Sequence, residues 1–91
     1  MSKSLQCLIS GKVQGVNFRA WTKSQAESLG INGWVRNLED GRVEVLAQGD
    51  EQALFDFKGR LAQGPTISQV ERVESKWIDY EKTFDKFELR L

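Results

Sequence analysis

Residues 31–48, INGWVRNLEDGRVEVLAQ, contain two strand-like runs joined by a short turn. The first run extends from Ile31 to Leu38 and is centred on a tryptophan–valine pair. The second run, Arg42–Gln48, alternates polar and apolar residues, which is typical of a strand with one buried face. An Asp-Gly pair separates the runs, and this dipeptide is a strong signal for a hairpin turn. We therefore predict a β-hairpin whose turn is Glu39–Gly41.

Helical periodicity flanks this hairpin on both sides. On its N-terminal side, apolar residues spaced by three or four predict a helix over Arg19–Leu29, with Gly30 as its end. On its C-terminal side, Asp50 is the predicted N-cap of a second amphipathic helix, which Gly64-Pro65 ends. The apolar residues that define the two faces are Phe18, Trp21, Ala26 and Leu29, followed by Ala53, Leu54, Phe57 and Leu61.

Further strands are predicted towards the two ends of the chain. Leu5–Ser10 is a short apolar run ended by a glycine, which indicates a central strand. Residues 67–77 place apolar side chains three or four positions apart, a spacing that alone suits a helix. Their β-branched content and their position after Gly-Pro favour a strand with a bulge. Phe87, Leu89 and Leu91 alternate with charged residues, so the chain is predicted to end in a strand.

The predicted order is β-α-β-β-α-β with a short extra C-terminal strand. This order predicts an α+β fold of the ferredoxin-like type, a sandwich in which two helices cover one face of a mostly antiparallel sheet. We expect the helices to pack on the first strand and on Val43, Val45 and Ala47. The 91 residues are 40% hydrophobic and contain no linker or repeat, so a single domain over residues 1–91 is expected.

The charge of the chain is balanced overall but unevenly distributed. Thirteen basic and thirteen acidic residues give a formal net charge of zero, which argues against broad attraction to nucleic acid or to anionic lipid. Residues 1–26, by contrast, contain basic residues and no acidic one. Arg19 lies at a predicted helix start, where the helix macrodipole disfavours a cation. This pattern predicts a small anion bound there. A plain strand–helix turn with a solvated arginine is the alternative.

The chain contains one cysteine and no histidine. An internal disulfide is therefore excluded, and Cys7, within an apolar run, is expected to be a small core residue. Without histidine or paired cysteines we expect no transition-metal site. No stretch has the length of a membrane span, and residues 1–6 lack the apolar region of a signal peptide. We expect a cytoplasmic protein with no membrane contact.

Two stretches resemble the signatures of the acylphosphatase family. Gly11–Arg19 (GKVQGVNFR) is similar to the first signature. Gly33–Asn37 (GWVRN), followed by residues 40–44 (DGRVE) and Gly49, is similar to the second. Length and element order agree as well, so the resemblance covers nearly the whole chain. It implies hydrolysis of the carboxyl–phosphate bond of a small acyl phosphate, giving a carboxylate and inorganic phosphate, with no metal and no cofactor.

The resemblance also implies roles for individual residues. Arg19 would bind the phosphate, and Asn37 would position the attacking water. The residues whose backbone N–H groups would cradle the phosphate are Gln14, Gly15, Val16, Asn17 and Phe18. The side chains suit these roles, because a guanidinium offers phosphate a fork of donors and an amide orients a water without becoming charged. Taken alone, Asn37 is also typical of a residue that ends a strand and begins a turn.

The remaining charged and aromatic residues near the two signatures are expected outside the chemistry. Lys12, Lys23 and Arg36 are predicted at the surface, and Glu39 and Asp40 are predicted as turn residues. The aromatic residues predicted to have packing roles are Phe18, Trp21 and Trp34.

Two residues depart from the family pattern. Asn17 stands where the family usually has glycine or an aromatic residue, and Leu91 where an aromatic residue is common.

Two functions are alternatives to acyl phosphate hydrolysis. A non-catalytic module of the same fold, binding an anion or a protein partner, is one alternative. An RNA-binding domain is the other, but residues 42–48 contain no aromatic residue for base stacking. A monomer is expected because no exposed apolar patch is obvious.

Overall fold

The computed structural model describes residues 2–91, which form two helices and one five-stranded sheet. In chain order the elements are β1 (Lys3–Lys12), α1 (Phe18–Ser28), β2 (Asn32–Asn37), β3 (Val43–Gly49), α2 (Glu51–Gln63), β4 (Gln69–Ile78) and β5 (Phe87–Leu89). This order confirms the predicted β-α-β-β-α-β series with an extra C-terminal strand. Within residues 2–91, neither helix has the length and apolar character needed to cross a membrane.

The strands lie in the order β4-β1-β3-β2-β5. β1 pairs antiparallel with β3 and β4, β2 pairs antiparallel with β3, and β2 and β5 run parallel. The predicted hairpin forms, since Asn37 pairs with Val43 and the N–H of Leu38 donates to the Arg42 carbonyl at 2.8 Å. The predicted ferredoxin-like α+β class is therefore confirmed.

Both helices pack on one face of the sheet, and the core lies between them and β1 and β3. Val43, Val45 and Ala47 are fully buried on this helix-facing side, as predicted. Cys7 is also fully buried there, and desolvation raises the pKa of its thiol to about 12. The buried helical side chains that complete the core are Phe18, Ala26, Leu54, Phe57 and Leu61.

The opposite face of the sheet, here called the outer face, carries polar side chains beside the apolar pair Trp34 and Leu46, and much of it is covered. Glu44 and Gln48 lie on this face, as their alternation with the core residues predicted, but they are only 9% and 8% exposed. The Nε2 of Gln48 donates to the Lys82 carbonyl at 2.6 Å, and its Oε1 accepts from the N–H of Phe84 at 3.0 Å. The segment between β4 and β5 therefore covers the outer face beside β3.

The predicted bulge lies in β4. Ser10 pairs with Arg72 and Gly11 with Val70, so Glu71 is the extra residue that faces no partner on β1. Gly11 has φ +125°, and a Cβ atom at this position would lie 2.1 Å from the carbonyl oxygen of Gln69. Only glycine fits there, because both the backbone angle and the close approach exclude a side chain.

Several element ends differ slightly from the predictions. α1 begins at Phe18, one residue before Arg19, and Asn17 is its N-cap. Asp50 is the N-cap of α2 as predicted, but its side chain makes no capping hydrogen bond with any described residue. The expected extension of the last strand to Leu91 is wrong, because pairing with β2 stops at Leu89 and Leu91 is fully exposed.

Candidate active site

The loop between β1 and α1 presents unpaired backbone N–H groups at a helix start. Gly15 and Asn17 both adopt the left-handed conformation, at φ +73° and +63°. Asparagine is one of the few other residues that accept this conformation, so the departure at Asn17 leaves the turn intact. No backbone hydrogen bond within residues 2–91 uses the N–H groups of Gly15, Val16 or Asn17. The first turn of α1 also lacks an acidic residue, so an anion can bind here.

Arg19 lies in this first turn, and its guanidinium is held by the C-terminal part of the chain. Its Nη1 donates to the backbone carbonyl of Arg90 at 2.7 Å. The N–H of Arg90 in turn donates to the Val35 carbonyl at 2.9 Å, which fixes this anchor to β2. In the described part of the chain, no carboxylate forms an ion pair with Arg19. The other guanidinium donors are therefore free to bind an anion.

Asn37 is the last residue of β2. It pairs with Val43, whose side chain is in the core, so the Asn37 side chain also projects from the helix-facing side of the sheet. Its Oδ1 is buried and accepts no hydrogen bond from any residue between 2 and 91. Buried polar atoms are almost always paired, so the unpaired Oδ1 leaves the Asn37 amide with a free acceptor.

Arg19 and Asn37 line the same cavity, whose volume is about 200 Å³. The complete lining consists of Val13, Gly15, Asn17, Phe18, Arg19, Ala20, Asn37 and Leu89. Three of the five residues predicted to cradle the phosphate are thus in the lining. Gln14 and Val16 are not, and the Val16 side chain belongs to the core.

Gln14 contributes through its side chain, a role that the sequence did not suggest. Its Nε2 donates to the carbonyls of Leu38 and Arg42, at 2.8 and 2.9 Å. These carbonyls flank the hairpin turn that follows Asn37, so Gln14 ties the loop before Arg19 to the hairpin. In the sequence, this role is indicated only by a long amide side chain, with two N–H donors, in a short loop between apolar residues.

β5 and the residue that follows it supply two further contacts to the site, which no local sequence pattern predicted. Leu89 lines the cavity, and the Arg90 carbonyl anchors Arg19. The second contact joins residues 71 positions apart and depends on the parallel pairing of β5 with β2. Sequence periodicity identifies a strand but does not report which neighbour it chooses.

The charged residues next to the second signature lie outside the cavity, as predicted. Arg36 is exposed on the outer face and pairs with Glu44 at 2.7 Å. Asp40, in the hairpin turn, pairs with Arg42 at 2.8 Å. The hydrogen bonds that Arg42 donates hold the pKa of the Asp40 carboxyl below its usual value.

The aromatic residues near the signatures are packing residues, as predicted. Phe18 is buried, with the ring of Trp21 5.5 Å away. Trp34 is buried on the outer face, where the guanidinium carbons of Arg36 and Arg90 each lie 5.0 Å from its ring centre. Phe18 has a second role, since it also lines the cavity.

Comparison with known proteins agrees with this geometry. The acylphosphatase family model matches residues 5–89. An acylphosphatase of Nitrosococcus oceani is 49% identical over 90 residues, which cover 99% of this chain and 100% of that protein. The solved acylphosphatase of Bacillus subtilis has a TM-score of 0.94 at 32% identity, with 100% of both chains covered. That of Coxiella burnetii has a TM-score of 0.93 at 35% identity, with 98% of this chain and 93% of the other covered. The chain therefore belongs to the acylphosphatase family.

Proposed function

We propose that this protein hydrolyses the carboxyl–phosphate bond of small acyl phosphates, releasing a carboxylate and inorganic phosphate. The observation that carries the proposal is one cavity that both Arg19 and Asn37 line. Membership of the acylphosphatase family supports the same activity and substrate class.

In this proposal Arg19 and the loop before it bind the phosphate group. One donor of the guanidinium is used by the Arg90 carbonyl, and the remaining donors form a fork that matches two phosphate oxygens. The N–H groups of Gly15, Val16 and Asn17 are proposed to donate to the other phosphate oxygens. The absence of any carboxylate from the cavity lining, within the described chain, favours such an anion.

Asn37 is proposed to orient the attacking water. Its side-chain amide would hydrogen-bond the water and direct an oxygen lone pair at phosphorus. As the new phosphorus–oxygen bond forms, the bond between phosphorus and the acyl oxygen breaks, and the carboxylate leaves with the electron pair. We propose that the proton of the water passes to a phosphate oxygen, since the lining offers no histidine or carboxylate in residues 2–91. Positioning and charge neutralisation dominate phosphoryl transfer, which suits a site built from an arginine and an amide.

Release of inorganic phosphate from benzoyl phosphate, with a chelator present, tests the activity. We expect release above the uncatalysed background and competitive inhibition by inorganic phosphate. No release above background would contradict the enzymatic proposal. Phosphate binding without turnover would then identify the chain as a non-catalytic, anion-binding member of the family.

We further propose that residues 1–91 form one domain, which acts as a monomer in the cytoplasm. One continuous core joins both helices to the sheet, and this supports a single domain. The edge strand β4 carries Glu71, Arg72, Glu74 and Lys76, and charges on an edge disfavour strand-to-strand association. The buried free thiol of Cys7 is compatible with a reducing compartment. Sedimentation at the monomer mass of 10.4 kDa is the expected result.

A further inference from the structure

We propose that Leu89 forms an apolar subsite for the acyl group, so that the cavity prefers neutral, apolar acyl phosphates. The inference depends on the acyl phosphate hydrolysis proposed above, and it names the substrate class for the same cavity. It assigns Leu89 a role in specificity rather than in the chemical step.

Leu89 is a large apolar side chain that remains exposed beside a polar site. It is 38% exposed and lines the cavity together with Arg19 and Asn37. Two other apolar residues of the lining, Val13 and Phe18, are buried in the core and offer a ligand little surface. Covering an exposed leucine that lines a cavity with an apolar ligand is favourable, because apolar surface is removed from water.

Strand pairing and the hydrogen bond of the following residue place Leu89 beside Arg19 and Asn37. Leu89 lies next to Val35 in the parallel pairing of β5 with β2, two residues before Asn37 on the same side of the sheet. The following residue, Arg90, accepts the hydrogen bond from Arg19. An acyl group is joined to its phosphate through a single oxygen. A phosphate held by Arg19 would therefore place the acyl group within reach of Leu89.

The charge and size of the cavity define the acyl group that fits. Arg19 is the one charged side chain in the lining, as far as residues 2–91 are concerned, and the phosphate would engage it. A second carboxylate on the acyl group would lose hydration without gaining a cation. The volume of about 200 Å³ is also below the about 300–1,000 Å³ of pockets for drug-sized ligands, which favours a small acyl group.

The test compares kcat/KM for benzoyl phosphate and acetyl phosphate in the wild type and in Leu89→Ala. For each substrate, the kcat/KM of the variant is divided by that of the wild type. This ratio removes the difference in intrinsic reactivity between benzoyl phosphate and acetyl phosphate. We expect Leu89→Ala to lose about tenfold on benzoyl phosphate and less than about twofold on acetyl phosphate, in line with the cost of removing an apolar contact. Leu89→Met, which conserves side-chain volume, should retain the wild-type ratio. Leu91→Ala is the matched control, since Leu91 lies beyond β5, outside the cavity lining and fully exposed.

Three outcomes would overturn the subsite. Equal losses on the two substrates would show that Leu89 acts by positioning Arg19 and not by contacting the acyl group. No loss on either substrate would show that the acyl group extends into solvent. A wild-type protein that hydrolyses neither substrate would refute the proposed function itself, and the subsite with it. A loss confined to benzoyl phosphate would support the subsite.

Discussion

At the scale of single residues, the proposed chemistry depends on two side chains, Asn37 and Arg19. The Asn37 Oδ1 is buried and unpaired among residues 2–91, and the residue lines the cavity. Arg19 places a cation where the helix dipole disfavours one. The two residues line the same cavity, where a guanidinium suits an anion and an amide suits a water.

Substituting Arg19 tests its proposed role in binding phosphate. We expect Arg19→Lys to lower kcat/KM for benzoyl phosphate by at least ~10²-fold, because lysine keeps the charge but loses the fork of donors. The variant should unfold at a temperature near that of the wild type, since Arg19 is only partly buried. Arg36→Lys is the matched control, because Arg36 lies on the outer face and pairs with Glu44. Equal activity in Arg19→Lys and Arg36→Lys would refute the assignment.

At the scale of elements, the site depends on connections between parts that are distant in sequence. The loop after β1 is tied to the hairpin by Gln14, and the start of α1 is tied to the end of β5 by Arg19 and Arg90. Each connection holds one side of the cavity against the other. Disturbing such a connection should misplace reactive groups without removing them.

The Gln14 side chain gives a direct test of this idea. We expect Gln14→Met, which removes both N–H donors at similar side-chain length, to lower kcat for benzoyl phosphate about tenfold, because Arg19 and Asn37 are still present but are held less precisely. Gln63→Met, at the exposed end of α2, serves as the control and should have wild-type kcat. A Gln14→Met enzyme with wild-type kcat would show that the loop holds its position without this tie.

Two glycines give a paired prediction about stability. Gly11→Ala should destabilise the protein by about 3 kcal/mol or more, because the new Cβ meets the Gln69 carbonyl at 2.1 Å where φ is +125°. Gly59→Ala should stabilise it by about 0.5–1 kcal/mol, because Gly59 lies within α2 and a Cβ there contacts nothing within 4 Å. Urea unfolding measures both changes. A Gly11→Ala protein as stable as the wild type would contradict the described geometry of the β4 bulge.

Local sequence patterns predicted most of the helices and strands, but they predicted few of the contacts between these elements. The hairpin, both helices and the bulge follow from alternation, helical spacing and turn residues, which depend on neighbours in the chain. The coverage of Gln48 by residues 82–84 and the approach of Leu89 to the cavity depend on strand pairing instead. The cavity residues Arg19 and Asn37 could be named from the two signatures. The side-chain role of Gln14 could not, because its partners are backbone carbonyls.

At the scale of the whole molecule, phosphate binding should be linked to folding stability. The cavity is assembled from the loop before α1, from β2 and from β5, so it exists only in the folded state. Inorganic phosphate at about ten times its dissociation constant should therefore stabilise the protein by about 1.4 kcal/mol. For a chain of this size such a change raises Tm by several degrees, about 4–8 °C per kcal/mol.

Differential scanning calorimetry with phosphate, and with sodium chloride at equal ionic strength, measures this effect. The rise should occur with phosphate alone, and Arg19→Ala should abolish most of it. A Tm that does not respond to phosphate at inhibitory concentrations would place the inhibitory site elsewhere.

The claim that Asn37 holds a water against phosphorus is tested most directly by hydrolysis of benzoyl phosphate in H₂¹⁸O. We predict that the enzyme-dependent label enters inorganic phosphate and that Asn37→Ala lowers the rate of this labelling by at least ~10²-fold. Asn32→Ala is the matched control, since Asn32 is on the same strand but donates to the Phe84 carbonyl on the outer face. It should label phosphate at the wild-type rate. Label in benzoate would contradict attack of the water on phosphorus, and equal rates of phosphate labelling in Asn37→Ala and the wild type would contradict the role proposed for Asn37.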